Sequence, residues 1–153
     1  MTRAIIVDLD GTLCNSTHRE HHAKNGDWDE FHAALAEDRP QSDVAELVRT
    51  FSEAGFLVAG CTGRPERYRI ATERWLVEHD IPLDFVLMRG NYDFGSDAVI
   101  KPRAVLEWHE HTAEAALMTA QERVLFVLDD RDKVVEAWRD NGFNCWQVRH
   151  GGY

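Results

Sequence analysis

Two aspartates separated by one residue follow the first apolar segment of the chain. Asp8 and Asp10 lie in the sequence Asp-Leu-Asp-Gly-Thr-Leu. One carboxylate of such a pair can attack phosphorus as a nucleophile, while the other donates a proton to the leaving oxygen and later activates water. Gly11 gives the backbone the freedom to leave a strand at this point. The alternative is a surface turn with two solvated acids, so the rest of the sequence must decide.

A second acidic pair, Asp129 and Asp130, follows an apolar segment near the C-terminus. Adjacent carboxylates at the end of a buried segment are costly unless they bind a cation. Mg²⁺ takes one or two carboxylates together with phosphate and water oxygens, so the pair predicts a magnesium site with Asp129 as the stronger ligand. For Asp130, a catalytic role and the N-cap of a helix beginning at Arg131 are equally good interpretations.

Candidate phosphate-binding residues occupy two further positions. Thr62, Gly63 and Arg64 precede a predicted helix, where a hydroxyl and free backbone N–H groups form a cradle for phosphate and the guanidinium adds a fixed positive fork. Lys101 can neutralise a phosphoryl oxygen and the nucleophilic carboxylate as a point charge. In isolation, Thr62 would more simply cap the helix, and Lys101 would be a solvated lysine.

Five short apolar segments rich in branched residues would position these side chains. They cover residues 4–7, 56–59, 85–88, 124–128 and 145–148. Helical patterns lie between them and begin near Ser42, Pro65, Pro102 and Arg131. This alternation predicts an α/β fold in which helices cover both faces of a parallel five-stranded sheet. Because ligands bind beyond the carboxyl ends of such strands, the polar residues at the strand ends should converge.

The composition of the chain restricts the classes of partner. Its 153 residues, 44% of them apolar, suffice for a single domain over residues 1–153. The net charge of −10 opposes sequence-independent adhesion to nucleic acid or an anionic membrane, so a phosphorylated substrate requires a local basic patch. We expect that patch at one rim of the site, formed by Arg64, Arg67, Arg89, Lys101 and Arg131.

The sequence shows neither a signal peptide nor the roughly 20 consecutive apolar residues that cross a bilayer. Its three cysteines, Cys14, Cys61 and Cys145, lack the paired short spacings of zinc or redox sites. These features predict a cytoplasmic protein with reduced thiols and no membrane partner.

The segment from residue 14 to residue 41 fits no strand, and we interpret it as a small cap-like insert after the first strand. A short helix is expected over residues 28–36, with Asp27 and Glu30 at the spacing of a capping box. The insert would shape the entrance to the site.

Histidines and aromatic residues in the insert each have two interpretations. The histidines could bind a metal, but no cysteine or carboxylate completes a zinc pattern, and a solvated entrance is favoured. They are His18, His21, His22 and His32. Trp28 and Phe31 could stack on a nucleobase, but an insert of this size needs aromatic residues to attach itself to the body. We favour attachment.

The order of these motifs resembles the phosphatase branch of the haloacid dehalogenase (HAD) superfamily, a Rossmann-like fold whose nucleophile is the first aspartate of Asp-x-Asp-Gly-Thr. The resemblance implies that Asp8 forms an aspartyl phosphate and that Asp10 is the general acid and base. It implies that Thr62 and Lys101 hold the phosphoryl group. It also implies Mg²⁺ bound by Asp8, Asp10 and Asp129, with Asp10 contributing its backbone carbonyl. The implied strand order is 3-2-1-4-5.

A closer resemblance is to the phosphatase domain of phage-type polynucleotide kinase-phosphatase. It rests on Asp129-Asp130-Arg131, Gly63-Arg64 and Asp97 four residues before Lys101. It implies removal of 3′-phosphates from nucleic acid ends, with Arg64, Asp97 and Asp130 joining the active site. The phosphate-binding residues would then be Thr62, Gly63, Arg64, Asp97, Lys101 and Arg131. The kinase motif G-x-x-x-x-G-K-[ST] is absent, so we expect a phosphatase without a kinase half.

Two other functions use a similar set of residues. The same catalytic groups could serve a nucleotidase or a phosphatase of small metabolites, because only the insert and the rim would differ. A phosphoacceptor signalling domain also combines a parallel sheet with aspartates, a hydroxyl residue and a lysine. In that domain the acidic pair comes first and the acceptor aspartate follows a later strand, so the order of motifs in this chain argues against signalling.

Overall fold

The structure, a computed structural model, describes residues 1–151. Its strands are β1 (Ala4–Val7), β2 (Cys14–Asn15), β3 (Arg39–Pro40), β4 (Leu57–Pro65), β5 (Phe85–Arg89), β6 (Val124–Asp129) and β7 (Cys145–Gln147). Its α-helices are α1 (Glu20–Lys24), α2 (Trp28–Ala33), α3 (Ser42–Glu53), α4 (Arg69–Glu78), α5 (Asp97–Glu110), α6 (Ala120–Arg123) and α7 (Asp132–Asp140). Short 3-10 helices cover Thr17–Arg19, Ala34–Glu37, Glu66–Tyr68 and Ala113–Ala116.

Five parallel strands form the main sheet in the order β5-β4-β1-β6-β7. Numbered within this sheet alone, the order is 3-2-1-4-5, so the predicted Rossmann-like α/β fold is confirmed. The central strand β1 is fully buried along its length. A parallel strand at this position has both faces covered, which explains why its sequence is continuously apolar rather than alternating.

Helices cover the sheet on both sides. On one face Ile5 packs in a cluster with residues of α3 and with Trp75 of α4. On the other face Ile6 packs with Val105 of α5 and Trp138 of α7. Neighbouring residues of β1 face opposite cores because side chains alternate along a strand. Among residues 1–151, none of the helices combines the length and the apolar composition that a membrane crossing requires.

The insert, residues 14–41, follows the turn after β1 and leads directly into α3. Its ends form a two-residue antiparallel pair, β2 with β3, so the expectation of no strand in this segment is wrong. A two-residue strand is too short to show the alternation on which strand prediction depends. The helix predicted over 28–36 ends at Ala33 and continues as a 3-10 turn, and Asp27 makes no capping hydrogen bond. That the chain forms one domain with a cap-like insert stays a prediction.

The strand β4 is longer than predicted. After a register shift it pairs again with β5, Pro65 opposite Arg89, so the backbone stays extended through Pro65. Pro65 is therefore not in the first turn of a helix, and α4 begins only at Arg69. This extension carries the candidate residues Thr62 and Arg64 as part of a strand.

The helix α5 begins one turn earlier than predicted. The backbone carbonyl of Ser96 accepts the N–H groups of Val99 and Ile100 and so starts the helix before Pro102. Pro102 lies inside the helix, where it removes one backbone hydrogen bond. The earlier start places Lys101 within the helix and on its buried side.

Candidate active site

Asp8 follows β1 directly and is almost fully buried, at 4% exposure. Its backbone N–H donates to the carbonyl of Leu128 at 2.9 Å, which brings the carboxyl ends of β1 and β6 together. Lys101 Nζ donates to Asp8 Oδ1 at 2.7 Å, and Thr12 Oγ1 donates to Oδ2 at 2.8 Å. Both carboxylate oxygens are thus held in place. Thr12, the threonine of the aspartate motif, is a site residue that was not predicted from the sequence.

Lys101 joins the two acidic motifs. Its Nζ donates to Asp129 Oδ2 at 2.8 Å as well as to Asp8. Burial opposes the charge of this lysine, but the Asp129 and Asp8 carboxylates hold its pKa well above the usual value. The solvated alternative for Lys101 is therefore wrong. Asp129 is oriented further by the indole N–H of Trp138 at 3.2 Å and by the backbone N–H of Asp130 at 2.9 Å.

Three carboxylates, those of Asp8, Asp129 and Asp130, have oxygens within 4.8 Å of one another, and all three residues are buried. Burial and the neighbouring Asp129 raise the pKa of Asp8, although Lys101 opposes the shift. Burial, Asp8 and Asp129 raise the pKa of Asp130 to about 9. Lys101 alone cannot keep all three buried carboxylates ionised, and a divalent cation with a preference for oxygen ligands would. The donor set therefore fits Mg²⁺.

Gly11 allows the acidic cluster to close. Its φ is 84°, a left-handed conformation that glycine adopts at low cost. A Cβ at this position would collide with the carboxylate of Asp130. Asp130 does not cap a helix, because α7 begins at Asp132 with Arg131 at the N-cap. The cap interpretation of Asp130 is therefore wrong.

The side chain of Asp10 lies apart from this cluster and binds two arginines. Arg64 Nη2 donates to Asp10 Oδ1 at 2.6 Å, and Arg19 also donates to that oxygen. Burial alone would raise the pKa of Asp10, but the charges of Arg64 and Arg19 outweigh it and hold the pKa well below its usual range. Asp10 is therefore ionised here, a form that accepts a proton and must first gain one before it can act as an acid.

Arg64 is fully buried and also donates to the hydroxyl of Thr72 at 3.1 Å. Its fork was predicted to bind substrate phosphate, whereas in the structure the fork binds Asp10. Burial disfavours the guanidinium charge, yet the carboxylate of Asp10 raises the pKa of Arg64 above its ordinary value. Arg64 therefore contacts the Asp10 carboxylate directly. Any effect of Arg64 on a bound phosphate would act through Asp10.

Two residues of the insert complete this buried ion-pair network. Arg19 donates through Nε to Asp38 Oδ1 at 2.8 Å and through Nη2 to Asp38 Oδ2 at 2.6 Å. The exposed fraction is zero for Arg19 and 2% for Asp38. Asp10, Asp38 and Cys14 are close enough to bind a metal, but Arg19 and Arg64 already balance the carboxylates. No sequence pattern distinguishes Arg19 from a surface arginine, because its partners lie far along the chain.

Asp97 accepts hydrogen bonds from two arginines, Arg89 of β5 and Arg131 beyond β6. Arg89 also donates to the carbonyl of Gly63 at 2.9 Å. A Cβ on Gly63 would overlap the carboxylate of Asp97, so a glycine is needed for this approach. Three predicted phosphate-binding residues, Gly63, Asp97 and Arg131, are thus brought together.

A cavity of about 740 Å³ opens beside these residues. The predicted site residues on its wall are Asp8, Asp10, Thr62, Gly63, Asp97 and Arg131. The hydroxyl of Thr62 accepts the backbone N–H of Arg64 at 3.2 Å, within the strand and not at a helix N-terminus as predicted. As an acceptor there, this hydroxyl can still donate its own proton to a phosphoryl oxygen.

The prediction of a basic mouth is wrong for the part of the chain that the structure describes. Carboxylates of the insert and of the loop after β5 also line the cavity, namely Asp27, Asp29, Glu30 and Asp93. The arginines on the wall are paired, Arg67 with Asp29, and Arg89 and Arg131 with Asp97. Their acidic partners come from separate segments, which the sequence pattern cannot place beside them.

The histidines of the insert do not form a metal site. His18 Nε2 lies 2.8 Å from Asp38 Oδ1. His32 is 7% exposed, and burial lowers its pKa to about 4, so it is not part of a solvated entrance. Within residues 1–151 the clusters of possible metal ligands contain no histidine.

The two aromatic residues of the insert differ in role. Phe31 is 2% exposed, with the guanidinium of Arg19 4.1 Å above its ring, so it is buried by other residues of the insert, and its attachment role stays a prediction. Trp28 is 47% exposed and lines the cavity. Attachment therefore does not account for Trp28.

Residues 2–153 match the model of a family described as the polynucleotide kinase PNKP phosphatase domain. The chain belongs to this family. Two solved structures, of a Pnkp1/Rnl/Hen1 complex and of the Pnkp1/Rnl/Hen1 RNA repair complex, are 29% and 28% identical to it, with TM-scores of 0.78 and 0.77. The similarity covers 100% and 99% of this chain and 48% and 44% of those chains, so this PNKP phosphatase domain spans about half of their length.

A haloacid dehalogenase-like hydrolase from Streptococcus pneumoniae shares the fold, with a TM-score of 0.62 and 13% identity over 95% of this chain and 84% of that one. The family match confirms the predicted membership of the HAD superfamily and the close resemblance to polynucleotide kinase-phosphatases. Because residues 2–153 belong to a family of phosphatase domains, the chain is a phosphatase.

Proposed function

We propose that this phosphatase removes 3′-phosphates from nucleic acid ends through an aspartyl phosphate on Asp8. The observation that carries the chemical part is the position of Asp8 on the cavity wall, with its carboxylate oxygens held by Lys101 and Thr12. A nucleophile that is already held in place needs little reorganisation before attack.

In the first step an oxygen of Asp8 bonds to phosphorus while the bond from phosphorus to the 3′-oxygen breaks. The leaving oxygen takes a proton from Asp10 in its neutral form. Asp10, then ionised, accepts a proton from a water molecule that attacks phosphorus and releases phosphate from Asp8. Arg64 and Arg19 favour the ionised form of Asp10, so they support the second step.

We propose Asp8, Asp129 and the backbone carbonyl of Asp10 as ligands of Mg²⁺, with Asp130 completing the acidic cluster. When bound, Mg²⁺ supplies positive charge that stabilises the phosphoryl oxygens. Lys101 supplies a further positive charge beside Asp8 and Asp129. Thr62 lines the cavity and can donate its hydroxyl proton to the phosphoryl group.

The nucleic acid substrate is supported by the family and by its relatives. The family is that of polynucleotide kinase phosphatase domains, and one structure with 28% identity is described as an RNA repair complex. Phosphorylated nucleic acid ends are therefore the proposed partner.

A nucleotidase, or a phosphatase of small metabolites, is the second candidate. Free carboxylates at the mouth favour it, since Asp27 and Glu30 line the cavity without a cationic partner of their own among the described ion pairs. A long polyanion would be repelled by such an entrance more strongly than a single nucleotide.

One substrate panel separates the two candidates. With Mg²⁺ present, we expect higher kcat/KM for a 3′-phosphorylated oligonucleotide than for 3′- or 5′-mononucleotides. DNA and RNA oligonucleotides of the same sequence belong in the panel. The matched control is Asp8→Asn, shown to be folded by circular dichroism, which should lose about a thousandfold or more in kcat on p-nitrophenyl phosphate. A strong preference for mononucleotides would contradict the proposed substrate but not the proposed chemistry.

The cysteines agree with the proposed cytoplasmic location. Cys14, Cys61 and Cys145 are free and buried. Burial raises the pKa of all three thiols, to about 12 for Cys61 and Cys145. Thiols in this state are poor nucleophiles, so they have packing roles and no catalytic one.

A further inference from the structure

Two large apolar side chains are exposed on the wall of the active-site cavity. Trp28, from the insert, is 47% exposed, and Phe94, from the loop between β5 and α5, is 87% exposed. They share that wall with Asp8. Neither the phosphoryl chemistry nor attachment of the insert requires an exposed aromatic ring at these positions.

The indole of Trp28 is supported from within the insert. Its ring lies nearly parallel to that of His32, with centroids 6.4 Å apart and an interplanar angle of 29°. The ring of Phe31 meets it edge-on at 5.7 Å. His32 in turn contacts the ring of Tyr68, which belongs to the segment before α4. Trp28 is therefore held in position at the cavity although about half of its surface is exposed.

His32 adds a second observation at the same place. It also lines the cavity and is 7% exposed, and its Nδ1 is buried without a hydrogen-bond partner within the described residues. A buried polar atom without a partner is unusual and indicates a site that a ligand or water completes.

The charges around Trp28 indicate which part of a nucleotide would lie there. Asp29 beside it on the cavity wall is paired with Arg67, whereas the carboxylates of Asp27 and Glu30 have no cationic partner among the described ion pairs. The carboxylates of Asp27 and Glu30 repel phosphates, whereas an uncharged heteroaromatic ring carries no such penalty. The cavity volume of about 740 Å³ far exceeds a phosphoryl group and lies in the range of pockets that enclose larger organic ligands.

We propose that Trp28 and Phe94 form a binding site for the nucleobase of the nucleotide that carries the scissile phosphate. This proposal rests on the proposed function and sharpens its substrate class, because the terminal base must be free to stack and so unpaired. Stacking depends on the ring face that every base has, so the site requires a base without selecting among them.

The test measures the ratio of kcat/KM for substrates that differ only in the base. One pair is an oligonucleotide with a 3′-phosphate on an ordinary nucleotide or on an abasic sugar. The other pair is a nucleoside 3′-phosphate and the same sugar phosphate without its base. We expect the wild-type ratio to be about tenfold or more in favour of the base, and to fall at least about fivefold in Trp28→Ala and in Phe94→Ala, mainly through KM.

The matched controls are Tyr92→Ala, 89% exposed in the same loop, and Trp146→Ala, 48% exposed on β7. Neither residue is on the cavity wall, so both variants should keep the wild-type ratio. If Trp28→Ala does not fold, Phe94→Ala decides the test, since Phe94 is exposed in a loop and its truncation should leave the fold intact. A wild-type ratio near one, or an unchanged ratio in the folded variants, overturns the base site.

The two substrate pairs separate this proposal from the proposed function. Hydrolysis of the nucleoside pair alone would show that polynucleotide ends are the wrong substrate, while its ratio would still decide on the base site. Hydrolysis of both pairs with ratios near one would keep the proposed function and overturn the base site. Hydrolysis of neither pair overturns both.

Discussion

Arg19 of the insert donates a hydrogen bond to the carboxylate of Asp10 at the end of β1. The same guanidinium binds both oxygens of Asp38, and the Arg19 side chain has no exposed surface. The guanidinium binds both oxygens of Asp38 through two different nitrogens in a fixed planar fork and still reaches Asp10, whereas a lysine has a single nitrogen and cannot reproduce this two-nitrogen contact. The position of the insert and the charge of Asp10 are therefore coupled through one residue.

Arg19→Lys should keep a positive charge and lose this double contact. Since two buried carboxylates would lose donors, we expect the free energy of unfolding to fall by about 3 kcal/mol. Urea unfolding measures this loss. The matched control, Arg39→Lys, changes an exposed arginine of β3 and should leave stability within about 0.5 kcal/mol of wild type. Equal stability of the two variants would show that the Arg19 network contributes nothing.

Gly63→Ala should disturb the Asp97 site, because the new Cβ would overlap the Asp97 carboxylate and displace it from Arg89 and Arg131. We expect kcat/KM to fall by about tenfold or more, since small displacements in a reacting site are costly. Steady-state kinetics with Mg²⁺ would measure the change. Gly90→Ala is the control, because the nearest heavy atom to its Cβ lies at 3.8 Å. A Gly63→Ala enzyme as active as Gly90→Ala would contradict this interpretation.

Removal of divalent cations with EDTA should stop hydrolysis, and added Mg²⁺ should restore it. Because the acidic cluster exists only in the folded chain, Mg²⁺ should also raise the midpoint of thermal unfolding. Asp129→Asn should abolish that increase. The control Asp140→Asn lies at the end of α7, outside the cluster, and should respond to Mg²⁺ as the wild type does. A Mg²⁺-dependent increase that survives in Asp129→Asn would place the ion elsewhere.

The buried ring of His32 should make stability depend on pH. Burial lowers its pKa from 6.5 to about 4, so between these values the unfolded chain binds a proton that the folded chain does not. The free energy of unfolding is therefore not reduced by His32 above pH 6.5. As the pH falls from 6.5 toward 4, protonation of His32 in the unfolded chain lowers this free energy by about 3 kcal/mol at most.

His32→Phe should flatten that part of the pH profile while keeping a ring at the position. Urea titrations at about pH 4.5, 5.5, 6.5 and 7.5 give the free energy of unfolding at each pH. The pH dependence of this free energy would show the difference from wild type. His21→Phe changes an exposed histidine and serves as the control. A wild-type slope in His32→Phe would mean that other groups cause the pH dependence.

Strand order and the catalytic edge of the sheet were predictable because both depend on local patterns. Continuous apolar segments identified β1 and β6, and the polar residues after them had to meet where parallel strands end. Helix starts were less predictable. Pro65 and Pro102 both suggested a first helical turn, but pairing with β5 kept Pro65 extended, and the Ser96 carbonyl started α5 before Pro102.

The sequence by itself determined that Asp8, Lys101 and Asp129 would meet, because each follows or enters an element that a short pattern reveals. Only the tertiary structure decided which charges pair. It placed Arg64 on Asp10, brought Arg19 from the insert to the same carboxylate and left Trp28 on the cavity wall. Ion pairs and the exposure of a side chain depend on which segments pack together in the folded chain. Residue type and spacing along the sequence do not reveal that packing.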